Sequence, residues 1–234
     1  MRSGRRARHN ALGNSPSLAG ARVDRLSEYI VSLFAPEDEL LGALREEADR
    51  TGLPPTSISP DAGRFLQVLL RAAGARRVLE VGTLGGYSTI WMARALPPDG
   101  RLITIEREDR HATFAERYIA RAGLASLVQV RRGRALDVLP SLDGEEFDLV
   151  FLDADRAPLA TYFEWAVRLV RPGGVIVAHN ALLGGRVANA ESRHDDEDVR
   201  VVRDLNARIA ADPRVASILL PAYDGLLVAI AERR

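Results

Sequence analysis

Apolar residues before residue 75 recur every three or four positions, the spacing that places them on one face of a helix. Three segments with this pattern, residues 23–34, 40–52 and 59–74, are predicted to be helices. Farther along the chain the apolar residues form short unbroken runs, which are typical of strands buried on both faces. These predicted strands cover residues 78–81, 101–106, 127–130, 147–155, 175–178, 216–220 and 226–231.

The order of these segments predicts an α/β fold. Helical patterns separate the strands up to residue 216, which indicates a mostly parallel sheet with helices on both faces. A turn over residues 221–225 joins the last two strands and favours an antiparallel addition at the end of the chain. Residues 1–20 are rich in Arg and show no period, so we predict a flexible tail. Residues 21–234 are then one domain, with N-terminal helices (21–74) followed by a sheet with a substrate lid (75–234).

A glycine loop joins the first predicted strand to the next helix. Gly82, Gly85 and Gly86 allow a ligand to approach the backbone closely, but their spacing differs from the Gly-x-Gly-x-x-Gly of dinucleotide-binding proteins. Glu80, two positions before the loop, would repel a pyrophosphate and attract a cationic amino group. The stretch resembles the cofactor loop of S-adenosylmethionine-dependent methyltransferases, and an NAD-dependent oxidoreductase is the weaker alternative.

Polar residues follow three predicted strands at the edge where this loop opens. Glu106 ends the second strand, where an acid in Rossmann-type folds binds the ribose hydroxyls. Asp153 lies in the acidic end of the fourth strand, and His179 and Asn180 follow the fifth. Because carboxyl ends of parallel strands share one edge, the last three residues are expected to meet as potential metal ligands.

Composition excludes some classes of protein. The formal net charge is zero, which disfavours nucleic acid as a partner. No apolar run is long enough for a membrane span, so we expect a cytoplasmic protein. The chain has no Cys for thiolate chemistry, and all 32 basic residues are Arg, so no Lys is present to act as a base.

Six segments between residues 23 and 234 resemble the catechol and caffeoyl-CoA O-methyltransferase family. They are Ser59-Pro60-Asp61-x-Gly63-x-Phe65-Leu66, Glu80-x-Gly82-x-x-x-Gly86-Tyr87-Ser88, Phe147-Asp148-x-Val150-Phe151-x-Asp153-Ala154-Asp155, Arg171-Pro172-Gly173-Gly174, Leu183-Gly184-Gly185-Arg186-Val187 and Ala211-Asp212-Pro213-Arg214-Val215.

The resemblance implies a Rossmann-like class I methyltransferase fold with seven strands, a divalent cation, a small hydroxylated acceptor and a homodimer. It also implies residue roles. The cofactor-binding residues would be Glu80, Gly82, Thr83, Ser88, Glu106, Ala135 and Asp153. The metal ligands would be Asp153 and Asn180, with His179 at the position of the third.

Departures from the family pattern fall mainly on the acceptor side. His179 stands where the family usually has Asp, and Arg156 where it has Lys. Others are Arg134 in place of an acid, and Leu183 or Leu159 in place of an aromatic residue. Arg156 cannot readily accept a proton, since its pKa lies above about 12. The candidate catalytic residues are His179, Asp153 and Arg156. Three roles are open for His179: it is a metal ligand, it is the general base, or its presence indicates that the site no longer binds a metal.

The donor set also predicts which metal would bind. One carboxylate, one imidazole and one amide oxygen favour manganese, iron, cobalt or zinc over magnesium. The leading prediction is an S-adenosylmethionine-dependent O-methyltransferase acting on a small aromatic or vicinal-oxygen acceptor. The alternatives are a tRNA-modifying methyltransferase and a non-catalytic S-adenosylmethionine-binding protein.

Overall fold

The structure, a computed structural model, describes residues 18–189 and 197–232, with side chains from residue 25 onward. The predicted tail therefore lies outside the described residues up to residue 17, as does the segment 190–196 of the predicted lid. Residues 18–20 belong to the first helix.

One seven-stranded sheet organises the described residues, with strand order β3-β2-β1-β4-β5-β7-β6. The first six strands are parallel, and β7 runs antiparallel to both of its neighbours, as the sequence predicts. The bounds are β1 Arg77–Val81, β2 Arg101–Glu106, β3 Val128–Arg132, β4 Phe147–Leu152, β5 Val170–Ala178, β6 Val215–Leu220 and β7 Leu226–Ala231.

Helices cover both faces of the sheet. They are α1 Leu18–Phe34, α2 Glu39–Arg50, α3 Pro60–Ala72, α4 Tyr87–Ala93, α5 Asp109–Arg121, α6 Ala135–Val138, α7 Leu159–Leu169 and α8 Glu197–Ala210. One apolar core packs α2 to α5 against the sheet, and a second packs α6 to α8 against the opposite face. This burial on both faces explains the unbroken apolar runs of the central strands.

Local signals in the sequence set the starts of the N-terminal helices. The Asp38 carboxylate accepts a hydrogen bond from the Leu41 N–H at the start of α2. The Ser59 hydroxyl accepts one from the Ala62 N–H at the start of α3, and Pro60 occupies the first helical position. Both helices therefore begin where the capping residues predict.

Most strand boundaries lie within two residues of the prediction, but one end of β4 and one end of β5 differ by more. The predicted fourth strand continues to residue 155, but β4 ends at Leu152. The residues Arg171-Pro172-Gly173-Gly174 predict a tight turn before the fifth strand. They lie instead within β5, where the pairing moves from Phe147↔Val170 to Leu149↔Val175. Pro172 has no N–H to donate and Gly173 has φ of 75°, so these residues form an irregular bulge inside the strand.

Among the described residues, every helix is too short or too polar to cross a lipid bilayer.

Candidate active site at the carboxyl edge of the sheet

A cavity of about 840 Å³ opens at the carboxyl ends of β1, β2, β4 and β5. The loop between α2 and α3 closes one side of it through residues 54–58. All the predicted site residues except Glu80 line this cavity, namely Gly82, Thr83, Ser88, Glu106, Ala135, Asp153, Arg156, His179 and Asn180. The fold therefore brings together residues that are far apart in the chain, from Gly82 to Asn180.

Gly82 allows the loop after β1 to pass against the end of β4. Its φ is 102°, and a Cβ added there would lie 2.1 Å from the carbonyl oxygen of Asp153. Gly82 N–H donates to the carbonyl of Ile105, and Asp153 N–H donates to that of Val81. Glycine is therefore required at this position by both its backbone conformation and its neighbour.

Glu80 lies beneath the cavity wall. Its side chain is fully buried and accepts hydrogen bonds of 2.5 Å from the hydroxyls of Ser88 and Thr89. Burial raises the pKa of Glu80 to about 7, despite these hydrogen bonds. Ser88 lines the cavity and Glu80 does not, so the carboxylate is separated from the cavity by the Ser88 side chain.

Glu106 is held rigidly at the end of β2. Its two carboxylate oxygens accept hydrogen bonds from the backbone N–H groups of Leu84 (2.8 Å) and Glu108 (2.9 Å). His111 Nδ1 lies 3.6 Å from the second of these oxygens. Each carboxylate oxygen can accept more than one hydrogen bond, so Glu106 keeps the capacity to bind two hydroxyl groups.

Two further predicted residues complete the wall on this side of the cavity. The Thr83 hydroxyl lies 2.5 Å from that of Thr104, which ties the glycine loop to β2. Ala135 begins α6, and Arg134 precedes it on the cavity wall. The small side chain of Ala135 leaves room for a flat group between these elements.

Asp153 and His179 form a pair where β4 and β5 end. His179 Nδ1 lies 3.1 Å from Asp153 Oδ1, and both side chains are mostly buried. Burial alone would lower the pKa of His179, but hydrogen bonds with Asp153 and the Tyr223 backbone, together with the charge of Asp224, raise it overall. The carboxylate therefore orients the ring and favours its protonated form.

Arg156 lies on the same wall but is engaged elsewhere. Its Nη1 donates to an Asp198 carboxylate oxygen at 2.9 Å, which connects the loop after β4 to the first turn of α8. Nearby, the Tyr162 hydroxyl donates to Asp155 at 2.8 Å. The ion pair gives Arg156 a role in holding α8 against the site.

Three residues near the site were given no role by the sequence analysis. The Tyr87 hydroxyl donates to Glu37, which connects α4 to the residues before α2. His111 faces Glu106 from the first turn of α5. Asp224 in the β6–β7 turn accepts a hydrogen bond from Asn180. No sequence motif predicts these contacts, since each joins residues that are brought together only by the fold. The one signal in the sequence is the turn predicted over residues 221–225, which includes Asp224.

The donors at this edge can be compared with the needs of a divalent cation. Among the described residues, no cluster of three His, Cys, Asp or Glu side chains could hold a metal, so a cation at this edge would have to take an oxygen of another residue type, such as the Asn180 amide. Asp153 Oδ1 and His179 Nδ1 are hydrogen-bonded at 3.1 Å, and once Nδ1 has lost its proton the same distance suits neighbouring ligands of one cation, which lie about 3 Å apart when each is about 2.1 Å from the ion. The set of a carboxylate, an imidazole and an amide oxygen fits a borderline cation.

Together, the strand order, the glycine loop after β1 and the acid at the end of β2 define an S-adenosylmethionine-dependent class I methyltransferase. Residues 31–232 match the O-methyltransferase family, and the chain belongs to it. The enzyme is an S-adenosylmethionine-dependent O-methyltransferase, as the sequence predicts, and its cofactor is S-adenosylmethionine.

Curated relatives and solved structures support the assignment to the O-methyltransferase family. A catechol O-methyltransferase from Niastella koreensis is 44% identical over 89% of this chain and 97% of its own, and one from Mycobacterium tuberculosis is 46% identical over 75% and 78%. The O-methyltransferase from Bacillus cereus, solved in complex with SAH, has a TM-score of 0.83, with 39% identity over 89% and 97% of the two chains. TomG from Streptomyces achromogenes, solved with SAM, also has a TM-score of 0.83, with 42% identity over 91% and 98%.

Proposed function

We propose that the enzyme methylates one hydroxyl of a small acceptor with two vicinal oxygens, of the catechol type. The observation that carries this proposal is the Asp153–His179 pair with Asn180 next to it in the chain. These three residues line the same cavity as Glu106. Two curated relatives named catechol O-methyltransferase support it. A donor set of this kind suits the recognition of two neighbouring oxygens.

The cofactor side of the cavity has the groups that an in-line methyl transfer requires. In the proposal, Glu106 accepts hydrogen bonds from both ribose hydroxyls, while Gly82 and Thr83 bring the backbone close to the cofactor. Ser88, oriented by Glu80, faces the methionine end, and Ala135 leaves space for the adenine. Such positioning accelerates the reaction because the sulfonium methyl and the acceptor oxygen are held in line.

The acceptor side fits a divalent cation held by Asp153, His179 and Asn180. A bound cation supplies positive charge that lowers the pKa of the acceptor hydroxyls. We propose that manganese, iron, cobalt or zinc is preferred over magnesium, because the imidazole replaces one of the oxygen ligands that magnesium prefers. Arg156 is not the proton acceptor, since its guanidinium stays charged and pairs with Asp198.

Turnover with chosen acceptors and metals tests the proposal. After chelator treatment, catechol and phenol are offered with manganese or magnesium to the wild type and to His179→Asp. We expect methylation of catechol over phenol, greater activity with manganese in the wild type, and a shift toward magnesium in His179→Asp. Full activity in excess chelator would refute the metal role and leave His179 as the candidate base. No turnover of any vicinal-oxygen acceptor would refute the acceptor class.

We also infer that two copies of the chain associate through α1. Leu26, Tyr29, Leu33 and Phe34 of this helix are each 57–63% exposed, and Val68 of α3 is 58% exposed. An exposed apolar face of this kind marks an interaction surface. A second copy is the proposed occupant, because identical subunits bury the same apolar face on each other in a closed pair.

A further inference from the structure

A carboxylate in the β6–β7 turn holds the loop that follows β5. Asp224 Oδ2 accepts a hydrogen bond from Asn180 Nδ2 at 3.1 Å, and Asp224 Oδ1 accepts one from the Gly184 N–H at 2.5 Å. The backbones add two more, because the N–H groups of Leu182 and Ala181 donate to the carbonyls of Asp224 and Gly225. The turn therefore fixes residues 180–184 through side chain and main chain together.

The backbone at this contact is in the left-handed region at four positions. Asn180, Leu183, Tyr223 and Asp224 have φ values of 56°, 48°, 57° and 57°. Across residues 18–189 and 197–232 only one other non-glycine residue, Leu84 in the cofactor loop, has a positive φ. Tyr223 and Asp224 are the central residues of the β6–β7 turn, which is closed by a hydrogen bond from the Gly225 N–H to the Ala222 carbonyl, and a type I′ turn requires positive φ at both positions. Asn180 and Leu183 lie in the loop after β5 that this turn holds, so the two segments have matching left-handed turns beside the Asp153–His179 pair.

The hydrogen bond to Asp224 determines which way the Asn180 amide faces. Carboxylate oxygens only accept hydrogen bonds, so the side-chain nitrogen of Asn180 must face Asp224. The side-chain oxygen then faces away from that carboxylate. Asn180 lines the cavity next to His179. With its nitrogen bound to Asp224, the amide has its oxygen left to bind a cation or accept a hydrogen bond.

We propose that Asp224 is a positioning residue for the acceptor end of the site, because it presents the Asn180 amide oxygen to the cavity. This inference rests on the proposed function, since it assigns Asp224 to the same donor set. Asp224 itself touches neither acceptor nor cofactor in this proposal. Its effect passes through the orientation of Asn180.

Asp224→Asn reverses this orientation. The Gly184 N–H still needs an acceptor, so the new amide oxygen remains with Gly184 and the new NH₂ group faces Asn180. Asn180 must then turn its oxygen toward position 224 and its nitrogen toward the cavity. We expect kcat/KM for catechol to fall by about 10- to 100-fold, as when groups that orient metal ligands are removed. The KM for S-adenosylmethionine should stay within about twofold, because Glu106 and the glycine loop are unchanged.

The double variant Asp224→Asn with Asn180→Asp restores the proposed arrangement. The new amide at position 224 donates to a carboxylate at position 180, whose second oxygen faces the cavity, and the net charge is unchanged. We expect most of the lost kcat/KM to return. If the single variant loses activity and the double variant recovers none, Asp224 supports the turn only, and the inference is wrong.

A spectroscopic readout tests the orientation without turnover. The side-chain amide resonance of Asn180 is identified by its loss in Asn180→Asp. We expect it to shift in Asp224→Asn and to stay in place in the control Asp143→Asn, whose carboxylate binds Arg168 on another surface. An unchanged resonance in Asp224→Asn would overturn the inference. Failure of the wild type to methylate any vicinal-oxygen acceptor would instead refute the proposed function, while the resonance would still decide the orientation.

Discussion

At the scale of single residues, Glu106 is the side chain on which cofactor affinity should depend most directly. Its carboxylate is already fixed by two backbone N–H groups, so in the proposed role it would bind a ribose with little further loss of side-chain entropy. Glu106→Gln places an NH₂ group against a backbone N–H and removes the charge. We predict weaker binding of S-adenosylhomocysteine by about 1–3 kcal/mol in calorimetry.

A suitable control for this prediction is Glu39→Gln. Glu39 is an exposed residue in the first turn of α2 and does not line the cavity. It undergoes the same chemical change, so its affinity should match that of the wild type. Equal affinities for all three proteins would remove Glu106 from the cofactor site.

Glu80 gives a prediction about pH. Its pKa is about 7 in the folded protein and about 4.5 when exposed, so between these values the folded state holds a proton that the unfolded state has lost. Stability from this group is therefore greatest at acidic pH and falls as the pH rises from about 4.5 to 7, by an amount on the order of 3 kcal/mol.

Glu80→Gln removes this titration while keeping the shape of the side chain. We predict that the variant gains stability relative to the wild type between pH 5 and pH 8, measured by urea unfolding at each pH. The same difference between variant and wild type at both pH values would show that the carboxyl titrates normally.

Residue types at strand ends predicted much of the site, but not its hydrogen bonds. Glu106, Asp153, His179 and Asn180 were predictable because parallel strands place their carboxyl ends together. The sequence also suggested that Glu80 would face the cofactor cation, but its side chain lies under Ser88 and Thr89. The alternation of residues along a strand predicts which face of the sheet a side chain is on. It does not predict which side chains of a neighbouring helix will cover that side chain.

At the scale of elements, the β1–α4 connection depends on glycine at position 82. In Gly82→Ala, the new Cβ would meet the Asp153 carbonyl at the end of β4, in a backbone conformation that alanine avoids. We predict a loss of stability of about 3 kcal/mol or more, together with loss of cofactor binding.

Gly42→Ala is the matched control for this change. Gly42 lies within α2, and a Cβ added there has no neighbour within 4 Å. Alanine should stabilise this helix by roughly 0.5–1 kcal/mol, so the same substitution should have opposite signs at the two positions. Denaturant unfolding measures both, and a stability gain in Gly82→Ala would contradict the proposed packing of the loop.

The elements themselves were predictable where burial imposes a simple pattern. The unbroken apolar runs and the capping residues Asp38 and Ser59 agree with the observed strands and helices. The error at residues 171–174 has a physical cause, because Pro and Gly in sequence indicate a turn whether the chain reverses or only bulges. Pairing with β4 on one side decides between these outcomes, and that pairing is not local information.

At the scale of the whole molecule, the exposed apolar face of α1 should determine the oligomeric state. We predict a dimer whose interface buries about 800 Å² or more on each copy, the size typical of stable pairs. Leu33→Glu would place a charge in this interface and should give a monomer in sedimentation experiments, with the melting temperature of the isolated fold retained because Leu33 is exposed in the single chain.

Ile218→Glu distinguishes α1 from the other exposed apolar surface. Ile218 lies on β6 at the edge of the sheet and is 60% exposed, close to the 57% of Leu33. Each substitution therefore replaces an exposed aliphatic side chain of the same size with a carboxylate. If α1 forms the interface, only Leu33→Glu should dissociate the pair. Dissociation by Ile218→Glu alone would place the interface at the sheet edge, and a monomeric wild type would exclude both. The face of α1 is favoured as the interface because four large exposed apolar side chains lie close together on this helix. Single exposed apolar residues are normal on a protein surface, whereas a cluster marks an interaction site.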